Sequence, residues 1–174
     1  MFEIKLKRTK GNKFVTHGIL YIPQYDFRCH TLELKECPPV ALSRIGSALD
    51  LGYYRLRGVL YEGEFGWPQL FRKVKGYHKK NQFEARLINR KTLPAGDIAI
   101  GMPRDFYSLE FNQELLNVFH TVMKEVFERN ADVFLNIFKT NKFEFIEDSD
   151  VCQEDEAKYE LRDIERTDFV TEED

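Results

Sequence analysis

Hydrophobic and polar positions alternate from the first residues onward. Phe2, Ile4 and Leu6 are interleaved with Glu3, Lys5 and Lys7, the period of two that marks a half-buried β-strand. Lys10-Gly11-Asn12 supplies turn chemistry, because Gly11 or Asn12 can take positive φ. A second strand follows over Phe14–Ile22 and stops at Pro23, which has no N–H to give to a ladder. Phe27–Leu34 makes a third, so the chain opens as an antiparallel meander. Cys37-Pro38-Pro39 interrupts it, and Val40–Leu51 reads as a loop. Gly52 precedes a strand over Tyr53–Tyr61, inside which Gly58 signals a bulge or a close backbone approach. Leu70–Val74 and Phe83–Ile88 are shorter strands around a polar loop. Ala85–Gly101 then reads as strand, loop and strand, with Pro94 and Gly96 in the loop and Asp97 opening an apolar run.

After Met102-Pro103 the period changes. Leu115, Leu116, Phe119, Val122, Met123, Val126 and Phe127 recur at steps of three and four, an amphipathic helix capped by Asp105 or Ser108. Ala131, Phe134, Ile137 and Phe138 extend the same spacing. The expectation is one long or two consecutive helices over about 108–140, their apolar stripe serving core or subunit packing. The expected architecture is α+β: an antiparallel, mostly β body over 1–103, a helical segment over 104–143, and an acidic C-terminal extension over 144–174.

Charge sharpens that division. The formal net charge of −3 hides 14 acidic against 3 basic residues over 144–174, and 15 acidic against 23 basic over 1–143. A basic body thus carries an acidic tail. The tail retains Phe145, Ile146, Val151, Tyr159, Leu161, Ile164, Phe169 and Val170. No run approaches the length of a membrane span, and MFEIKLKRTK lacks the apolar segment of a secretory signal. Three cysteines, Cys29, Cys37 and Cys152, at no metal-type spacing favour free thiols in a reducing compartment. The histidines, His17, His30, His78 and His120, are scattered, so neither a metal nor a cofactor is expected.

Two local patterns resemble a known family. Thr16-His17-Gly18-Ile19-Leu20 and Phe27-Arg28-Cys29-His30-Thr31-Leu32-Glu33 are similar to the T-x-G-x-L and F-x-C-x-T-L-E strands of a domain family of unknown function common in bacteriophages and their hosts. Gly52-Tyr53 and the stretch from Pro68 to Val74-Lys75-Gly76 follow in the family's order, and the resemblance covers about residues 2–101. That family closes on a motif similar to an L,D-transpeptidase site, a histidine followed later by Gly-Cys-Ile. Here Leu87-Ile88 leads into Asn89, and Gly96-Asp97-Ile98 stands for Gly-Cys-Ile. A thiolate with a neighbouring base can attack an acyl carbonyl. A carboxylate beside an amide cannot replace that pair. The resemblance therefore implies a vacated site at Asn89 and Asp97, with Asp97 accepting backbone N–H bonds at the start of a strand.

Three functions compete. The favoured one is a structural or assembly subunit without catalysis, a virion component such as a tail, connector or head accessory protein. It would work in the particle or in the host cytoplasm during assembly, meeting other protein subunits through Trp67, Phe71, Tyr77, Phe145, Tyr159 and Phe169. The second is an enzyme, L,D-transpeptidase-like or otherwise acting on the cell wall. It would draw on Cys29 or Cys37 with His17, His30 or His78, or on Asp97 with Glu84 or Glu33. Against it, Cys29 and His30 are sequence neighbours and face opposite ways on a strand. The third is nucleic-acid binding through Arg72, Lys73, Lys75, Lys79, Lys80, Arg86, Arg90 and Lys91, interleaved with Phe71, Tyr77 and Phe83. The sequence pI near 5.9 and the lack of a recognised motif weigh against it.

Overall fold

The computed structural model describes residues 1–36, 48–58, 60–61, 64–73, 81–88, 97–110 and 112–147. The opening meander is β1 (Phe2–Gly11), β2 (Val15–Ile22) and β3 (Phe27–Leu34), with a 3₁₀ turn over Pro23–Tyr25. Then come β4 (Gly52–Arg57), the short pair β5 (Leu60–Tyr61) and β6 (Glu64–Phe65), β7 (Gln69–Lys73) and β8 (Asn81–Ile88). The chain continues through β9 (Ile98–Asp105), β10 (Ser108–Glu110), the helix α1 (Gln113–Arg129) and β11 (Val133–Phe145).

Eight strands close a barrel in the order β9-β3-β2-β1-β11-β4-β7-β8, with β8 returning to β9 and β10 hairpinned onto the outer part of β9. Two of its pairings, β1 with β11 and β8 with β9, are parallel. Parallel neighbours ordinarily need a long crossover. Here β8 and β9 are staggered, so that Leu87 and Ile88 at the end of one lie beside Ile98 and Ala99 at the start of the other, and the chain need not run back.

The architecture is therefore mostly β with one helix among the described residues, which corrects the α+β expectation. The helix is shorter than expected and starts later. Asn112 caps it, its side chain accepting from the Leu115 N–H at 2.9 Å, while Asp105 and Ser108 lie in β9 and β10. It stops at Asn130, and 133–145 forms β11, inserted between β1 and β4. Ala-Asp-Val-Phe-Leu-Asn-Ile-Phe satisfies both periods: Ala131, Phe134, Ile137 and Phe138 fit a helix, whereas Val133, Leu135 and Ile137 fit a strand. Those last three are the side chains buried inside the barrel. The ladders offered by β1 and β4 decide between the periods.

The barrel interior is filled by the inward series of each strand. Phe2, Ile4 and Leu6 of β1 meet Leu20, Ile22, Cys29, Tyr54, Leu56, Leu70, Ala85, Leu87, Ile100, Leu135 and Ile137. Across β1, β2 and β3, Arg8, Gly18 and Thr31 lie in one row. A Cβ on Gly18 would stand 2.7 Å from Thr31 Oγ1 and 2.9 Å from the Lys7 carbonyl, so only glycine fits there.

α1 covers the barrel end where β1 and β11 begin. Leu116, Phe119, Val122, Met123 and Val126 face the barrel, and the Phe119 ring lies 5.8 Å from that of Phe27. Phe127 rests against Gly58, whose missing side chain makes the seat, since a Cβ would come within 2.8 Å of the ring. Toward the opposite part of β1 the interior turns polar. Arg8 is 2% exposed and Glu33 fully buried, and Arg8 donates to Glu33 at 3.0 and 2.8 Å and to the Leu49 carbonyl at 2.6 Å. Burial alone would lower the Arg8 pKa; the Glu33 carboxylate more than reverses this, and the guanidinium stays charged. A second apolar cluster lies outside the barrel wall, where Tyr107 and Leu109 of the β9–β10 hairpin cover Val15, Leu32, Leu34 and Ala99.

Candidate functional site

On the outer surface of β11, β1, β2 and β3, the strand registers build two parallel rows of side chains. One row is Phe138, Lys7, Ile19 and His30; the next is Asn136, Lys5, Tyr21 and Arg28. Directly opposed residues on one face lie close enough for their side chains to touch. Between the rows is a recess of about 230 Å³ lined by Lys5, Lys7, Ile19, Tyr21, Arg28 and Phe138. Lys5, Lys7 and Arg28 are exposed, and the rings and Ile19 half-buried. The Arg28 guanidinium lies over the Tyr21 ring at 4.4 Å, which holds a long side chain in place. None of the three cations belongs to an ion pair among the described residues. Glu3 flanks the rows, and its carboxylate accepts from Asn136 at 3.1 Å.

Asp97 has a different part. It is 4% exposed, accepts from the Arg86 backbone N–H at 2.9 Å and from the Arg86 guanidinium at 3.0 Å. It sits one residue before β9, so it prolongs by one hydrogen bond the short parallel ladder that closes the barrel. Neither the recess above nor a second one of about 280 Å³ near Gly11, Lys13, Lys35, Phe143 and Phe145 includes it. Asn89 lies outside the described residues.

The other candidate reactive groups are divided among separate environments. Cys29 points into the barrel and burial raises its thiol pKa; His30, next in sequence, lies on the outer rows. Glu33 is held by Arg8, and Asp97 by Arg86. Cys37, His78 and Cys152 lie outside the described residues, as do Lys75, Tyr77, Lys79, Lys80, Arg90, Lys91, Tyr159 and Phe169. Of the basic run, Arg86 is paired with Asp97, Arg72 donates to Asp50 at 3.4 Å, and Lys73 lies in β7. Trp67 is half-buried between the barrel and α1, 6.5 Å from the Phe119 ring and 4.8 Å from that of His120, so it fastens the helix. Phe71 lies under Arg57, and Phe145 is exposed at the end of β11. Among the described residues no group of three or more His, Cys, Asp and Glu is placed to hold a metal, and no helix is long and apolar enough to cross a membrane.

Among the described histidines, His17 carries the one large shift. It lies under the hairpin, bonded through Nε2 to the Phe106 carbonyl, with the Phe106 ring at 4.8 Å. Burial lowers its pKa to about 4, helped by Lys10 and His30 and opposed by the Phe106 carbonyl and Asp105. The unfolded chain therefore takes up a proton near pH 6.5 that the folded chain refuses until about pH 4. Stability is full above pH 6.5 and falls between those values, by up to about 3 kcal/mol. Urea midpoints measured across that range should fall for the wild type and fall less for His17→Gln, which removes the titration.

Sequence reasoning missed Arg8 and the outer recess. Arg8 continues the inward series of Phe2, Ile4 and Leu6 by one more step of two, a signal present in the sequence. Lys5 and Lys7 are outward by the same rule. Phe138, assigned to a helix, could not be placed beside them.

No known protein family, curated protein or solved structure matches this chain.

Proposed function

We propose that this protein is a non-enzymatic assembly subunit that works by contact with other protein subunits, further copies of itself among them. The observation that carries this reading is the contrast between its two kinds of charged group. The described carboxylate and thiol candidates for chemistry are used inside the fold: Glu33 by Arg8, Asp97 by Arg86, Cys29 by burial. The outer face instead presents three cations and two rings without an ion-pair partner among the described residues. Such a surface is suited to recognition, in which complementary charge sets orientation and rims of rings supply contact area. Placement in a phage particle, or in the host cytoplasm during its assembly, is supported by the sequence resemblance over residues 2–101.

Sedimentation velocity of the full chain provides the test. At low salt the weight-average sedimentation coefficient should rise with concentration. It should fall toward the monomer at about 1 M salt, where the screening length shrinks to about 3 Å. A chain that stays monomeric at all concentrations, or one whose association ignores salt, contradicts the reading.

A further inference from the structure

We infer that the recess on β11, β1, β2 and β3 receives the acidic C-terminal segment of a second copy of this chain. The inference rests on the assembly reading above and names the partner for it. Three features of the recess define the ligand. Lys5, Lys7 and Arg28 favour an anionic ligand, and no carboxylate lines the recess to neutralise them. Tyr21, Phe138 and Ile19 between those cations offer apolar contact, which a purely acidic polymer would leave unused. The site therefore fits a peptide in which acidic and apolar side chains alternate closely.

The chain itself contains such a peptide. Residues 144–174 hold 14 acidic and 3 basic residues, with Val151, Tyr159, Leu161, Ile164, Phe169 and Val170 spread among them. The body that would receive it, 1–143, has 23 basic and 15 acidic residues. Geometry favours a second copy as donor. β11 passes the recess at Phe138 and runs on to Phe145, about 23 Å further at about 3.3 Å per residue. Its far end is pinned by the Ile146 N–H donating to the Gly11 carbonyl at 2.8 Å. The described chain thus ends beyond its own recess and directed away from it, which favours a neighbour's recess as the acceptor. Donor and acceptor surfaces differ, so the contact builds a reciprocal exchange between two copies, a ring or an open filament.

The test uses the full chain and a fluorescent synthetic peptide of residues 148–174. The peptide should bind the wild type, with affinity that drops at least about tenfold for the exposed triple variant Lys5→Glu, Lys7→Glu, Arg28→Glu, as expected when several close charge pairs are reversed. The milder Lys5→Gln, Lys7→Gln variant guards against misfolding and should weaken binding less. Self-association by sedimentation should fall in the same order. If the reversed variant associates as the wild type does, the recess is not the acceptor, while the assembly reading stands. If the wild type neither associates nor binds peptide, both fall. Peptide binding by a chain that stays monomeric overturns the second copy as donor. Tighter binding of a single-stranded oligonucleotide at the same three residues overturns the class of partner.

Discussion

Glu33→Ala should destabilise the protein by about 3–5 kcal/mol, seen as a large loss in urea midpoint. The side chain accepts two hydrogen bonds from Arg8, at 3.0 and 2.8 Å, in an interior where both residues are almost wholly shielded from water. Its removal leaves a guanidinium with the Leu49 carbonyl and, at 3.6 Å, the part-exposed Glu36. A buried charge without its counterion is costly because the low-dielectric interior returns little of the lost hydration. Replacing both partners removes that cost. Arg8→Met with Glu33→Leu should therefore lie close to the wild type, and the non-additivity of the double-mutant cycle would identify the pair as a unit. A small, additive effect of Glu33→Ala would show that Arg8 finds water in that part of the barrel.

Phe119→Ala should cost a comparable amount, about 3–5 kcal/mol, or on the order of 10 °C in melting temperature. Phe119 is fully buried and stands where α1 enters the barrel end, 5.8 Å from the Phe27 ring and 6.5 Å from that of Trp67. Alanine would leave a void between helix and barrel, which share no backbone hydrogen bond among the described residues, so the helix depends on this packing for its position. Tryptophan fluorescence gives a local readout, because Trp67 is the single tryptophan and lies against the same ring. The variant should shift Trp67 emission toward the red as water reaches it. Unchanged emission and stability would mean that the helix is held elsewhere.

The first three strands were legible because β1 alternates between buried and exposed positions, β2 and β3 are rich in apolar and branched residues, and the turn between the first two carries its own chemistry. Phe2, Ile4 and Leu6 point inward, Lys5 and Lys7 outward, and Pro23 ends β2. Such local signals fix a strand without reference to its partners. β11 shows where they stop. Its residues fit two periods, and the choice is made by β1, about 130 positions away, and by β4. Barrel closure was hidden for the same reason, since the staggered meeting of β8 with β9 spans only two residue pairs.

The candidate site divides along the same line. The backbone-acceptor role of Asp97 at the start of a strand was expected through the family resemblance, and Asp97 does accept the Arg86 N–H. The outer recess was not, because its lining comes from four strands and forms only when their registers align Phe138 with Lys7 and Lys5 with Tyr21. The basic run over 72–91 drew notice as a cluster in sequence. Its two described arginines each have a carboxylate neighbour instead, Asp50 for Arg72 and Asp97 for Arg86.

Zero-length cross-linking of a mixture of isotope-labelled and unlabelled full-length chains tests the central claim most directly. The account predicts carboxylate–amine links between Lys5 or Lys7 and acidic residues of 144–174 that join a labelled peptide to an unlabelled one. Links confined to peptides of the same label, or none involving Lys5 and Lys7, would contradict it.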